Sequence, residues 1–366
     1  MRTNNGFSNG FKLAAMYTCV ILGAGFASGQ ELLQYFVAYG PSGIWGLITA
    51  GVLFAVTGWA TLDICHRKGF TDYRELMIYL AGKRLGLVLE ALAALFLFVL
   101  FVAMLSAGGA MLEQSSNFSF TVGVLLIAVI VLVALWFGLE GIALINGILA
   151  PVMVVGGIFM GLYAFFNRTS PTFLQDSLAP KWILSAIVYA SYNIVSGMSV
   201  LASSSRLAKS HKDCMMGGLM GGFALTFLGI CMALPLYLNY AEVISVEIPF
   251  LVVAEGFGQI FTFLYLALMM CAIFTTAISN SFALTEVVQG YIKRYSKNDI
   301  TSKSGAANHK ENRRMLCMIL VALGIPAAYI GFSNIVGYVY PLFGFLGVFQ
   351  IVIVILSWRK LCQSQS

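Results

Sequence analysis

The sequence predicts an all-α polytopic membrane protein of about ten transmembrane helices, arranged as a five-plus-five inverted repeat with broken helices 1 and 6. Three observations carry that prediction. The 366 residues are 60% hydrophobic and 10% charged, with a mean hydropathy of +0.89, more apolar surface than a soluble domain of this size requires. About 20 apolar residues suffice for one helical crossing, and ten such stretches follow one another along the chain. The first and the sixth of them are interrupted near their middles by glycines and polar residues.

The expected spans are 11–37, 43–65, 85–112, 119–138, 143–166, 181–204, 215–238, 256–286, 314–332 and 334–357. Only Gly331-Phe332-Ser333-Asn334 separates the last two, so nine and eleven are the competing counts. The first segment is too long for a cleavable signal peptide and is expected to remain as a span. Prolines 151, 235, 326 and 341 permit kinks in spans 5, 7, 9 and 10.

Charge placement orients the bundle. With the N-terminus inside, nineteen of the twenty-one lysines and arginines fall on the cytoplasmic side, and Arg168 and Lys181 are the two outside. This is the positive-inside pattern. It puts both termini in the cytoplasm of a multi-pass cell-membrane protein, which requires an even number of spans. The basic clusters then read as topology determinants and lipid-headgroup contacts rather than as a nucleic-acid surface. The polar stretch 293–313 is expected to be a cytoplasmic loop without fold. The connection 239–255, with Glu242, Glu247 and Glu255, is either a cation-attracting vestibule or a solvated loop, the latter being about twice as frequent an outcome. Asn117-Phe118-Ser119 and Asn167-Arg168-Thr169 match glycosylation sequons on the outer side. The seven cysteines are scattered without a CxxC pair and read as reduced, buried small residues.

Span 1 carries the most informative feature. Gly23-Ala24-Gly25-Phe26-Ala27-Ser28-Gly29-Gln30-Glu31 breaks an otherwise apolar helix. Each glycine costs about 1 kcal/mol against alanine in a helix interior, and a membrane-embedded acid costs several kcal/mol. Irregular backbone at that depth is tolerated where protein covers it or where it lines a cavity. Transporters place substrate and ion sites at such breaks, and ten spans divide into halves of five, an odd number that inverts the second half. Span 6 opens that second half, and Tyr189-Ala190-Ser191-Tyr192-Asn193-Ile194-Val195-Ser196-Gly197 interrupts it. The competing reading is that serine and glycine merely let helices approach closely.

These breaks nominate Gly23, Gly25, Ser28, Gly29, Gln30 and Glu31 from span 1 and Tyr192, Asn193, Ser196 and Gly197 from span 6 as substrate-binding residues. Ser106, in the small-residue stretch Ser106-Ala107-Gly108-Gly109 of span 3, is added as a pocket wall. Glu31 lies about 10 Å outward of the span 1 centre at helical rise. It either caps the second half-helix or faces the central cavity, where it would bind an ammonium or take up a coupling proton. In span 8, Ala272, Thr275 and Thr276 share one face, and hydroxyl and carbonyl oxygens suit sodium. Thr276, Ser279 and Asn280 form an alternative register, and such hydroxyls also commonly bond their own backbone.

The glycine-rich break, followed by Tyr39-Gly40-Pro41-Ser42-Gly43 and by the tyrosine- and asparagine-bearing span 6, resembles the YkvI-type amino acid permeases of the amino acid–polyamine–organocation superfamily. The resemblance covers essentially the whole chain. It implies the five-plus-five fold with broken helices 1 and 6. From sodium-coupled relatives it also implies an ion site of carbonyls near Gly23 and Phe26 with Ala272, Thr275 and Thr276. The chain departs from the neurotransmitter-symporter relatives in having no asparagine in the span 1 break and no tyrosine at mid-depth in span 3.

The expectation is a single membrane transport domain, 1–366, with repeats 11–166 and 181–358. It would carry a small solute, an amino acid or related amine, coupled to sodium or protons. The rival reading is a ligand-sensing membrane receptor of the same fold. No membrane-depth Ser–His pair, metal cluster or nucleotide loop suggests an enzyme, and no cofactor is expected beyond a coupling ion. The expected partners are the solute and membrane lipid. In a cysteine-depleted chain, Ile244→Cys should label from outside intact cells and Gly305→Cys should not; the reverse pattern would overturn the orientation.

Overall fold

The computed structural model describes residues 5–116, 118–137, scattered positions between 155 and 166, 181–295 and 303–364. Most of span 5, Pro151, both sequon asparagines, Arg168 and residues 296–302 lie outside the described residues. The chain is a polytopic membrane protein, and its described residues form helices and no strand. Span 1 is three pieces: α1 (Asn5–Ile21), α2 (Ala24–Ala27) and α3 (Gln30–Tyr35). There follow α4 (Ser42–Lys68), α5 (Tyr73–Ser115) and α6 (Phe120–Phe137). The second half comprises α7 (Trp182–Ser204), α8 (His211–Leu238), the short α9 (Tyr240–Val243) and α10 (Pro249–Glu255), and the long α11 (Gln259–Tyr295). The chain ends with α12 (Lys303–Ala328), the turn α13 (Phe332–Asn334) and α14 (Tyr340–Gln363).

Local sequence explains the boundaries. Asp72 caps α5 by accepting from the Glu75 N–H (2.7 Å), while the Glu75 carboxylate accepts from the Thr71 N–H (3.0 Å). Ser210 and Asp213 repeat the arrangement at the start of α8, a reciprocal cap that serves otherwise orphaned donors. Gly82, with φ 77°, folds the first turns of α5 back before its membrane-crossing part begins, close to the expected start of span 3. Gly331, with φ 92°, separates spans 9 and 10, as their four-residue divider suggested.

Three expectations change. Span 6 is not broken: α7 runs without interruption from Trp182 to Ser204. Its polar residues are absorbed locally, with Ser191 donating to the Ile187 carbonyl, Asn193 to Tyr189 and Ser196 to Asn193, bonds that leave a helix continuous. The stretch 293–313 is helical up to Tyr295 and again from Lys303. The connection 239–255 is folded into α9 and α10, and Glu247 accepts from the Ser333 N–H at 2.6 Å. Burial raises the Glu247 carboxyl above its usual range.

Helices α1, α4, α7 and α8 pack together, while α5, α6, α11 and α12 form a second group and α14 leans on α7 and α4. The first group closes around Tyr17 of α1. Its hydroxyl donates to the Phe54 carbonyl at 3.0 Å. A methyl added to Gly58 of α4, Gly197 of α7 or Gly221 of α8 would stand 2.6, 3.0 or 2.7 Å from its ring. Three glycines from three helices thus exist as the space for one tyrosine.

Asp63 of α4, which the sequence reading passed over, fastens one end of this group. It is 2% exposed and accepts from Arg67 Nε (2.8 Å), His211 Nδ1 (2.6 Å) and Trp358 Nε1 (2.8 Å). One carboxylate so joins α4, α8 and α14. Asp63→Ala should cost about 1–3 kcal/mol through its unpaired donors, read as a lower Tm of the purified protein in detergent. An unchanged Tm would show that the junction contributes nothing to stability.

Candidate functional site

The break in span 1 is built from backbone that finds its own partners. Gly23 leaves α1 with an extended ψ of −177° and opens α2, and Gly29 closes the break in the left-handed region at φ 81°, a conformation glycine adopts without strain. The Ser28 hydroxyl donates to the Gly25 carbonyl (2.8 Å) and accepts from the Gln30 N–H (3.1 Å). The Ser28 carbonyl accepts from the Phe250 N–H (2.9 Å) of α10, and the Ala27 carbonyl from the Tyr265 hydroxyl (3.2 Å) of α11. The Gly23 carbonyl accepts from the Ala27 N–H, Ala24 from the Ser28 N–H, Gly25 from the Ser28 hydroxyl and Phe26 from the Gly29 N–H.

Glu31 sits in the first turn of α3 and is 5% exposed. Both competing readings of it meet here, for it is in a helix first turn and also faces inward. Its carboxylate folds back over Gly25, whose missing side chain supplies the room; a methyl there would land on the carboxylate. The Tyr192 hydroxyl and the Asn193 amide of α7 are the polar neighbours of the carboxylate. Glu31 Oε2 and the Tyr192 hydroxyl are buried without a hydrogen-bond partner at ordinary geometry. So is the Ser106 hydroxyl of α5, while Gly108 and Gly109 beside it are filled by Ile127, Phe120 and Val124 of α6. Around Glu31 the rings of Tyr35, Tyr189 and Tyr192 stand 5.5–5.6 Å apart, Tyr340 lies 5.1 Å from Tyr192, and Phe96 closes on both Tyr192 and Tyr340.

The structure therefore brings Gly25, Glu31, Tyr192 and Asn193 together. Gln30 points the other way, donating to the Ser333 hydroxyl, with Gln34 donating to the Ser333 carbonyl at 3.0 Å and Tyr35 to the Val336 carbonyl at 2.9 Å. Ser196 bonds its own helix, and Gly197 is occupied by the approach of Tyr17. Of the proposed ion ligands, Thr276 meets the break, with Gly23 positioned so that an added methyl would stand 3.6 Å from its Cγ2. The Thr275 hydroxyl donates to the Cys271 and Ala272 carbonyls of α11 at 2.9 and 3.1 Å. The sequence reading missed Tyr35 and Tyr340, and it named Tyr189 in the span 6 stretch but not as a site residue. Spacing could have found two of them: Tyr35 follows Glu31 by four residues and Tyr189 precedes Tyr192 by three, each on a shared helix face. A separate apolar cavity lies between α4 and α8, lined by Phe26, Leu47, Ala50, Phe54 and Leu225, and shares Tyr189 with this cluster.

An interrupted first helix that presents carbonyls and a buried carboxylate to a second, inverted half defines a five-plus-five inverted-repeat membrane fold, which transporters use. The comparisons agree. No family model matches the chain. It is 26% identical over 342 residues, 92% of its own length and 92% of the relative's, to the uncharacterized membrane protein YkvI of Bacillus subtilis (strain 168). Among solved structures it matches MhsT in complex with L-phenylalanine with a TM-score of 0.63 at 18% identity, over 96% of this chain and 88% of that one. It matches a substrate-bound, outward-open Na+-coupled sialic acid symporter with a TM-score of 0.59 at 15% identity, over 93% and 78%.

The fit of Glu31 to Gly25 can be measured. Gly25→Ala should destabilise by about 1–3 kcal/mol, the usual cost of overpacking, whereas Gly23→Ala should be tolerated. Thermal unfolding of both variants checks the contrast, and equal Tm losses would mean that the carboxylate is not held over Gly25.

Proposed function

We propose that this protein is a secondary active transporter of a small solute, an amino acid or related amine, coupled to sodium or protons by alternating access. The observation that carries the reading is Glu31. A buried carboxylate at a helix break with one oxygen lacking a partner is expensive to maintain, and a transport site gives it a use. The breaks of such folds bind substrate and ions at the midplane while one helix group rocks against the other. The two groups of helices supply bodies that can rock. The tie of Gln30, Gln34 and Glu247 on Ser333 is the candidate gate at one end, whereas Asp63 with Arg67, His211 and Trp358 holds α4, α8 and α14 together as one body at the other. With both termini cytoplasmic, the Asp63 end faces the cytoplasm. The relationship to a structure holding L-phenylalanine and to a Na+-coupled symporter supports the class.

For the coupling ion, Gly23 and Phe26 carbonyls with Ala272, Thr275 and Thr276 are the proposed sodium ligands, and Glu31 is the alternative carrier of a coupling proton. Uptake of radiolabelled amino acids and amines into proteoliposomes under imposed sodium or pH gradients tests the whole reading. Accumulation is expected, and it should be lost in Glu31→Gln. If sodium is the coupling ion, Thr276→Val should weaken the sodium dependence. Saturable binding without uptake under any gradient would instead favour a receptor of this fold.

A further inference from the structure

Glu31 is walled by aromatic rings rather than by cations. Tyr35, Tyr189, Tyr192 and Tyr340 are each close enough to feel its charge. Among the described residues, the polar neighbours of its carboxylate are the Tyr192 hydroxyl and the Asn193 amide, and no ion pair to Glu31 is formed. All four tyrosines are buried, as is Phe96. Aromatic faces carry partial negative charge and attract cations, quaternary ammonium groups especially. A carboxylate among such rings suits a cation, and the α3 N-terminus and the donors Tyr192 and Asn193 beside it are already engaged by the Glu31 carboxylate. An amino acid would bring a carboxylate of its own into this space, and the Glu31 carboxylate already lies over Gly25 of α2. Two like charges in a desolvated site repel strongly.

Resting on the transporter reading above, we propose that the ligand of this site is an organic ammonium ion without a carboxylate on the adjacent carbon, held by Glu31 and the tyrosine walls. Glu31 stands in for the carboxylate that an amino acid substrate would carry. The positive nitrogen would lie between the Glu31 Oε2 and Tyr192 hydroxyl that now lack partners, with its alkyl or aryl part against Tyr340 and Phe96.

The test compares matched pairs in which one member lacks the carboxylate: phenethylamine with L-phenylalanine, and choline, which has a hydroxymethyl group in its place, with glycine betaine. Binding to the purified full chain is measured by calorimetry or by Tm shift, which rises with ligand concentration over Kd. The amine of at least one pair should bind about tenfold or more tighter than its carboxylated partner, a gap of about 1.4 kcal/mol. Glu31→Gln should collapse that ratio toward one, with monodispersity and a retained unfolding transition as the folding control. Tyr192→Phe, which keeps the ring and removes only the hydroxyl, should weaken the amine while preserving the preference. Equal or tighter binding of the amino acids by the wild type would overturn the proposal, as would no binding of either member of both pairs, or a preference that survives in Glu31→Gln. Transport of amino acids with such a result would leave the transporter reading intact. Amine binding with no uptake would overturn the transporter reading and leave the ammonium site standing.

Discussion

Everything in this molecule turns on keeping a non-helical stretch of backbone satisfied inside a membrane. Water is absent there, so each unpaired peptide group is costly, and the residues between Gly23 and Gly29 meet that demand from four directions. Ser28 serves both sides of the break with one hydroxyl. The second half of the chain reaches across with the Phe250 N–H and the Tyr265 hydroxyl. Gly29 supplies the positive φ that turns the chain into α3. Gly25 supplies the empty space into which Glu31 folds. Changing any one of these would leave a polar group stranded or a side chain displaced, so the break and its acid form one unit.

Two polar clusters tie helices together around that unit. Ser333 collects bonds from Gln30 and Gln34 and gives its own N–H to Glu247, which links the first span to the turn between α12 and α14. Asp63 collects three donors from two neighbouring helices and its own, and these join α4 and α8 to α14, which leans on the same group. Neither cluster includes Glu31.

How much of this could be read from the chain differs by type of signal. The span 1 break was legible because glycines and an acid in an apolar run violate membrane energetics from composition alone. The matching break in span 6 was not there to be read. Ser191, Asn193 and Ser196 look like breakers in sequence, yet side chains that bond carbonyls three or four residues back leave a helix intact. Gly197 was nominated for substrate binding, yet it forms the seat of Tyr17, a contact between residues 180 positions apart that no local pattern announces. The approach of Thr276 to Gly23 was legible as helical spacing, whereas the turning of the Thr275 hydroxyl onto its own helix depends on a rotamer choice. Asp63 was overlooked because it sits near a span end beside Arg67, where an acid reads as an ordinary surface pair; its burial under Trp358 is a tertiary fact.

Tyr17 has a mechanical meaning beyond packing. Its ring is gripped by glycines of α4, α7 and α8, so α1 is keyed to those three helices and a displacement of one drags the rest. The other end of the same span, α3, hangs on the turn at Ser333 and Val336 through Gln30, Gln34 and Tyr35, while Ser185 of α7 and Tyr237 of α8 donate to the carbonyls of Tyr35 and Phe36 where it ends. Both ends of the first span are therefore held by α7 and α8, with the residues from Gly23 to Gly29 clamped between. A rearrangement that parts α3 from the Ser333 turn would pull directly on the piece of chain that carries Glu31. A molecule seated beside that carboxylate would be felt at the turn without any relay through the rest of the bundle.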